Sequence, residues 1–118
     1  MGAVRSKITK LDTIYTKQIK ESISYNRMVI YTKGSCPNWI KAKALLDKGE
    51  VVYEEYDLEK MENSKEIHEA LITVSEQDTL PNIFIHFLHI GDYSDLKRLH
   101  KNDELRDILN GGDIYNIF

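Results

Sequence analysis

The sequence predicts an α/β domain in which a four-stranded mixed sheet is flanked by helices on both faces. Three observations predict it. Apolar periodicities alternate along the chain as α-β-α-β-α-β-β-α, an order that needs helices on both sides of a sheet. The first two strand patterns are separated by a helix-length crossover, which makes them parallel, whereas the last two meet around His86 and can only form an antiparallel hairpin at one edge. The chain has 118 residues, of which 42% are hydrophobic, the length of one domain with one real core. Residues 1–118 are read as that single domain, with 1–10 as a flexible N-terminal extension.

Leu11, Ile14, Tyr15, Ile19 and Ile23 form a helical stripe from Leu11 to about Ser24, with Asp12 near its positive end. Met28-Val29-Ile30-Tyr31-Thr32 is a run of β-formers that ends in the turn Lys33-Gly34-Ser35. Pro37 opens the next helix, where its missing N–H costs nothing. Trp39, Ile40, Ala42, Leu45 and Leu46 supply its apolar side, and Lys48-Gly49 its stop. Residues 51–58 read as a second strand. Asn63 or Ser64 caps a helix through Ile67, Ala70, Leu71 and Val74. Leu80–Ile85 gives a third strand with Pro81 at its head, and Phe87–Ile90 a fourth. Asp95–His100 and Asp103–Leu109 complete the C-terminal helices, ended by Gly111-Gly112.

Composition narrows the function. One cysteine excludes an internal disulfide and a multi-cysteine zinc site. A net charge of −3 argues against nucleic-acid binding. No apolar run is long enough for a membrane span, so a protein of a reducing compartment, the cytoplasm, is expected. Met1-Gly2-Ala3-Val4-Arg5-Ser6 fits the loose myristoylation pattern, but an ordinary glycine after the start codon explains it better. Residues 1–33 carry seven basic and two acidic groups, and residues 50–78 two basic and ten acidic. The acidic block is read as a solvated helix face and strand edge. Phosphate loops, nucleophile elbows and His-Glu-x-x-His motifs are missing. His86 and His89 are read as loop histidines, and no metal is expected.

The chemistry therefore centres on Cys36. It follows a strand and a tight turn and directly precedes a helix, where free N–H groups and the positive dipole end stabilise a thiolate. Lys33, three residues upstream, adds a cation. A thiolate near neutral pH is what attack on a disulfide requires.

Three segments carry a family likeness. Tyr31-Thr32-Lys33-Gly34-Ser35-Cys36-Pro37-Asn38-Trp39 resembles the active-site segment of glutaredoxins, Thr79-Leu80-Pro81 resembles their Thr-Val-Pro, and Ile90-Gly91-Asp92-Tyr93-Ser94-Asp95-Leu96 resembles their Gly-Gly-x-x-Asp-Leu loop. The likeness covers about Met28 to Leu109. It implies a thioredoxin-like fold, a cis-Pro81, and a glutathione-dependent thiol–disulfide oxidoreductase with glutathione as co-substrate. It further implies Cys36 as nucleophile, with Lys33 and His68 meeting the glycine carboxylate of glutathione. Leu80, beside Pro81, would pair its backbone with the glutathione cysteine as an added strand. Tyr93 and Ser94 would receive the γ-glutamyl group, with Asp95 capping the helix that follows.

Two departures matter. Trp39 stands where dithiol members have a second cysteine, which leaves a monothiol route. With Asn38 it sits at the second position beside the thiol, where Trp39 restricts access, stacks against the ligand or packs into the helix–sheet core. Asp92 replaces a loop glycine, and its charge either repels the γ-glutamyl carboxylate or attracts the amine. Expected partners are glutathione, glutathionylated proteins and small disulfides, met by a monomer. Two other functions stay open: a glutathione-ligated iron–sulfur cluster carrier, disfavoured by Pro37 after the cysteine, and a non-catalytic interaction module.

Overall fold

The computed structural model describes residues 13–111. The expectations for the 1–10 extension and Gly2, and for Leu11, Asp12 and Gly112, lie outside the described residues.

Helix α1 (Ile14–Tyr25) starts at Thr13, whose hydroxyl accepts from Thr16 N while the Thr16 hydroxyl accepts from Thr13 N. This reciprocal cap satisfies two first-turn donors. Strand β1 (Met28–Thr32) is buried throughout. Helix α2 (Pro37–Lys48) has the expected bounds and buries Trp39, Ala42 and Leu46. Strand β2 is shorter than its sequence run, Glu54–Asp57. Its partner β1 supplies only Val29–Thr32 for pairing, and Val51 N is drawn back to Leu46 O (3.0 Å) to finish α2.

After a 3-10 turn (Leu58–Lys60), α3 runs Ser64–Ser75. The side-chain cap expected of Asn63 or Ser64 is not made: Asn63 takes the N-cap place with a left-handed backbone (φ 59°) and no cap hydrogen bond. Strands β3 (Asn82–Ile85) and β4 (Leu88–Gly91) follow. The fourth strand begins one residue later than expected because Phe87 belongs to the turn, with φ of 47° at His86 and 71° at Phe87. Helix α4 (Tyr93–Lys101) begins two residues before Asp95, because Asp92 caps it. Helix α5 is Leu105–Leu109.

The sheet order is β2-β1-β3-β4, with β1 and β2 parallel and the other pairs antiparallel. This is the four-stranded mixed sheet with helices on both faces that the sequence predicts. Alternation along β1 splits the core in two. Met28 and Ile30 pack with Trp39, Leu46, Leu96 and Ile108 on one face. Val29 and Tyr31 pack with Ile19, Ile23, Leu71 and Phe84 on the other. Strand directions bring the ends of β1, β2 and β4 and the start of β3 to one end of the sheet. There the Cys36 turn, the 3-10 turn, Leu80-Pro81 and the start of α4 meet.

Candidate active site

Cys36 is the N-cap residue of α2, with extended backbone (φ −67°, ψ 121°). Cys36 N donates to Lys33 O (2.9 Å), closing the turn, and Cys36 O accepts from Ile40 N (3.1 Å), starting the helix. Its half-buried thiol makes no cap bond and instead donates to Leu80 O, 3.6 Å away. The donors of the first turn are thus uncapped by a side chain at the very place where negative charge on Sγ would develop. The Leu80–Pro81 peptide is cis. Cys36, Leu80 and Pro81 are brought together as the sequence implies.

Two carboxylates hold the turn from the other side. Asp57 Oδ1 accepts from Gly34 N (3.1 Å) and from Glu59 N (2.9 Å). Glu59 grips Ser35 with both oxygens, Oε1 from the backbone N–H (2.9 Å) and Oε2 from the hydroxyl (2.8 Å). The Ser35 N–H and hydroxyl hold the Glu59 carboxyl below the usual range, helped by the Lys33 charge. Gly34 lets the carboxylate come close: a Cβ would lie 2.6 Å from Asp57 Oδ2, so any larger residue has to push that side chain aside. Sequence reasoning placed both acids in a solvated edge and missed this clamp. The available signal was an Asp-x-Glu directly after a strand.

On the proline side, Gln77 Nε2 donates to Thr79 O (3.0 Å) and Pro81 O (3.2 Å). Buried Asn82 donates to Ser75 Oγ (2.8 Å) and faces His89 Nε2 with its oxygen (3.0 Å). Burial pulls His89 below the ordinary histidine pKa, which suits a neutral ring donating to Asn82. His86 meets Leu109 O (2.8 Å). Each histidine of the hairpin is spent on the fold. His68 Nε2 lies 3.0 Å from Asp78 O, so that nitrogen is engaged at the edge of the site.

At the start of α4, Asp92 Oδ1 accepts from Ser94 N (3.0 Å), Asp95 N (3.2 Å) and Ser94 Oγ (2.7 Å). Asp95 returns the contact by accepting from Asp92 N (3.0 Å). The cap expected of Asp95 is therefore Asp92, because the residue before the first turn is the one whose carboxylate reaches the second and third N–H groups. The Ser94 hydroxyl, first among these donors, lowers the Asp92 pKa. Ser94 is thereby engaged by the chain's own carboxylate. Tyr93 is half-buried and packs against the same core cluster as Cys36.

Lys33 and Asn38 are exposed. Trp39 is not: 2% of its surface is accessible, and it meets Tyr53 edge-on with ring centres 5.8 Å apart. Of the roles open to it, core packing is the one it fills. It packs with Met28, Ile30 and Leu46 in the core between α2 and the sheet.

The family model described as Glutaredoxin matches residues 28–90. Glutaredoxin 1 of Rickettsia typhi is 43% identical over 83 residues, 70% of this chain and 78% of that protein. Mitochondrial glutaredoxin-2 of Homo sapiens is 33% identical over 105 residues, 89% of this chain and 64% of that protein. Among solved structures, wheat glutaredoxin superposes with a TM-score of 0.80 at 28% identity, covering 84% of this chain and 93% of its own. A buckwheat glutaredoxin–glutathione complex superposes with a TM-score of 0.81 at 24% identity, covering 85% and 91%. Sheet order, helix placement and these matches agree on a thioredoxin fold. The chain belongs to the glutaredoxin family of glutathione-dependent thiol–disulfide oxidoreductases.

Proposed function

We propose that this chain removes glutathione from mixed disulfides by a monothiol route, with Cys36 as nucleophile. The observation that carries the reading is the placement of the sole cysteine at the open N-terminus of α2, beside the Leu80 carbonyl. The Cys36 thiolate attacks the glutathionyl sulfur of the mixed disulfide. The substrate sulfur leaves as a thiolate and takes a proton from solvent, and Cys36 is left bonded to glutathione. The thiolate of a second glutathione then attacks the glutathionyl sulfur, releasing the Cys36 thiolate and glutathione disulfide. No internal disulfide enters the cycle.

Lys33 supplies a cation for the glycine carboxylate, and His68, one ring nitrogen of which meets Asp78 O, supplies a second contact. Leu80 offers backbone groups to the glutathione cysteine next to Pro81. Tyr93 and Ser94 border the γ-glutamyl end, where Asp92 already holds both polar groups of Ser94 and its charge opposes the γ-glutamyl carboxylate. A glutaredoxin of buckwheat has been crystallised with glutathione, which supports glutathione as co-substrate here. The same reading places the protein as a monomer in the cytoplasm, where the glutathione pool keeps a lone thiol reduced.

The test is turnover of a glutathione mixed disulfide by the full chain, with Cys36→Ser alongside. Turnover that vanishes in Cys36→Ser is expected. A parent protein that folds but shows no turnover overturns the reading. In that event a brown dimer after reconstitution with iron, sulfide and glutathione identifies a cluster carrier, and its absence a binding module.

A further inference from the structure

Glu59 is used by neither step above, yet it is bound to the residue next to the nucleophile. Both of its oxygens are on Ser35, at 2.9 and 2.8 Å, and Asp57 holds the backbone of Glu59 and of Gly34 at once. This fixes the Cys36 turn from the end of β2 and the 3-10 turn after it, 23 and 24 residues away in sequence. The approach is close: a Cβ at position 34 would displace the Asp57 carboxylate from its place under the turn. A surface carboxylate held merely for solubility does not need such an arrangement.

We infer that Glu59 is a positioning residue for Cys36 that also restrains it: the carboxylate fixes the turn presenting the thiol, and its fixed negative charge opposes both the thiolate and the binding of an anionic disulfide at Lys33. The two effects have opposite signs. Fixing the Ser35 backbone holds Sγ between the start of α2 and the Leu80 carbonyl, which lowers the cost of reaching attack geometry. The charge works the other way, since a like charge nearby disfavours ionisation. The Ser35 hydrogen bonds favour the ionised Glu59 carboxyl most, and the charge of Lys33, at the head of the same turn, adds a little. The other ionisable groups at this end of the sheet are Asp57 under the turn, His68 and Asp78 on the proline side, and Asp92 with Asp95 at the start of α4. Of these carboxylates, Glu59 is the one bound to Cys36's neighbour by both oxygens.

The inference rests on Cys36 as nucleophile, so its first readout needs no disulfide. Alkylation of the full chain by iodoacetamide is followed from pH 4 to 9 in the parent, Glu59→Gln, Glu59→Ala and Ser35→Ala. Removing the charge in Glu59→Gln or Glu59→Ala raises the rate at pH 6 about two- to fourfold and moves the midpoint of the profile down. The gain shrinks in 1 M KCl. Ser35→Ala keeps the charge and leaves the midpoint in place. In turnover of a small glutathione mixed disulfide, Glu59→Gln keeps the parent kcat within about twofold and lowers KM, while Glu59→Ala, without an oxygen to hold Ser35, loses about fivefold or more in kcat. Circular dichroism confirms that each variant is folded, and Ser35→Ala carries the positioning test if Glu59→Ala is not. Midpoints identical in parent and Glu59→Gln overturn the restraint, and equal kcat in Gln and Ala variants overturns the positioning. A parent without turnover but with the midpoint shift intact overturns the oxidoreductase reading instead.

Discussion

At position 39 an indole with 2% of its surface exposed sits three residues after the nucleophile and lies edge-on against Tyr53. Removing it leaves a cavity between α2 and the sheet, so Trp39→Ala should cost about 3–5 kcal/mol in urea denaturation. Alkylation of Cys36 in the folded variant should change less than twofold. A several-fold gain in alkylation with little loss of stability would instead make Trp39 a gate. Position 92 has the reverse character, costing little in stability and much in binding. The Asp92 carboxylate takes three donors at the start of α4, including both polar groups of Ser94. Asp92→Gly frees them for a ligand carboxylate. Because glycine is a tolerable N-cap, it should cost only a few tenths of a kcal/mol, whereas Asp92→Ala costs about 1. The expected result is a several-fold lower KM for a glutathione mixed disulfide in Asp92→Gly at nearly parent stability. A higher KM would mean that the carboxylate holds the glutathione amine more strongly than it repels the carboxylate.

The elements meet their sequence signals in the middle and miss them at the ends, and the β3–β4 hairpin shows why. Its two turn residues, His86 and Phe87, both have positive φ, a geometry that favours glycine and asparagine. No such dipeptide marks the turn in the sequence, so the fourth strand is read one residue early. His86 is held in place through Leu109 O, but Phe87 is 67% exposed and little offsets its strain. Phe87→Gly should therefore stabilise the protein by about 1 kcal/mol in denaturant melts; an unchanged midpoint would mean that the ring's packing offsets the strain. The same physics separates what was legible in the site from what was not. Strand–turn–Cys-Pro–helix and Leu80-Pro81 are local patterns, and the structure brings them together as read. Glu59 on Ser35 joins segments 24 residues apart, partners chosen only when the sheet closes, and Asn82 between Ser75 and His89 bridges seven residues on either side, a contact that no helix or strand period announces. Capping by Asp92 is a local pattern too, because Asp is a preferred N-cap and Asp95 stands three residues on to return the bond.

Across the whole molecule, the sheet divides the core into two halves with different chemistry. The α2–α4–α5 face is aliphatic around Trp39, while the α1–α3 face stacks Tyr31 on Tyr56 at 4.8 Å and satisfies the Tyr31 hydroxyl with Ser22 at 2.8 Å. Burial pushes the Tyr31 pKa up to about 12, opposed by the Ser22 hydrogen bond and aided slightly by Tyr56. The unfolded chain ionises this phenol near its ordinary value of about 10. A group whose pKa is raised by folding contributes stability that is fully present below the unfolded value and lost as pH rises toward the folded one. Between pH 10 and 12 the protein should lose about 2–3 kcal/mol through Tyr31. Tyr53 and Tyr56, which burial also raises, add smaller amounts over an overlapping range. Urea midpoints taken at pH 9, 10, 11 and 11.5 should fall steeply for the parent and much less for Tyr31→Phe, which keeps the ring and removes the proton. Equal slopes for the two proteins would place the alkaline loss elsewhere. Below pH 9 both should be flat with respect to these phenols, so the thiol chemistry just past the end of β1 can be titrated there without changing the core that carries it.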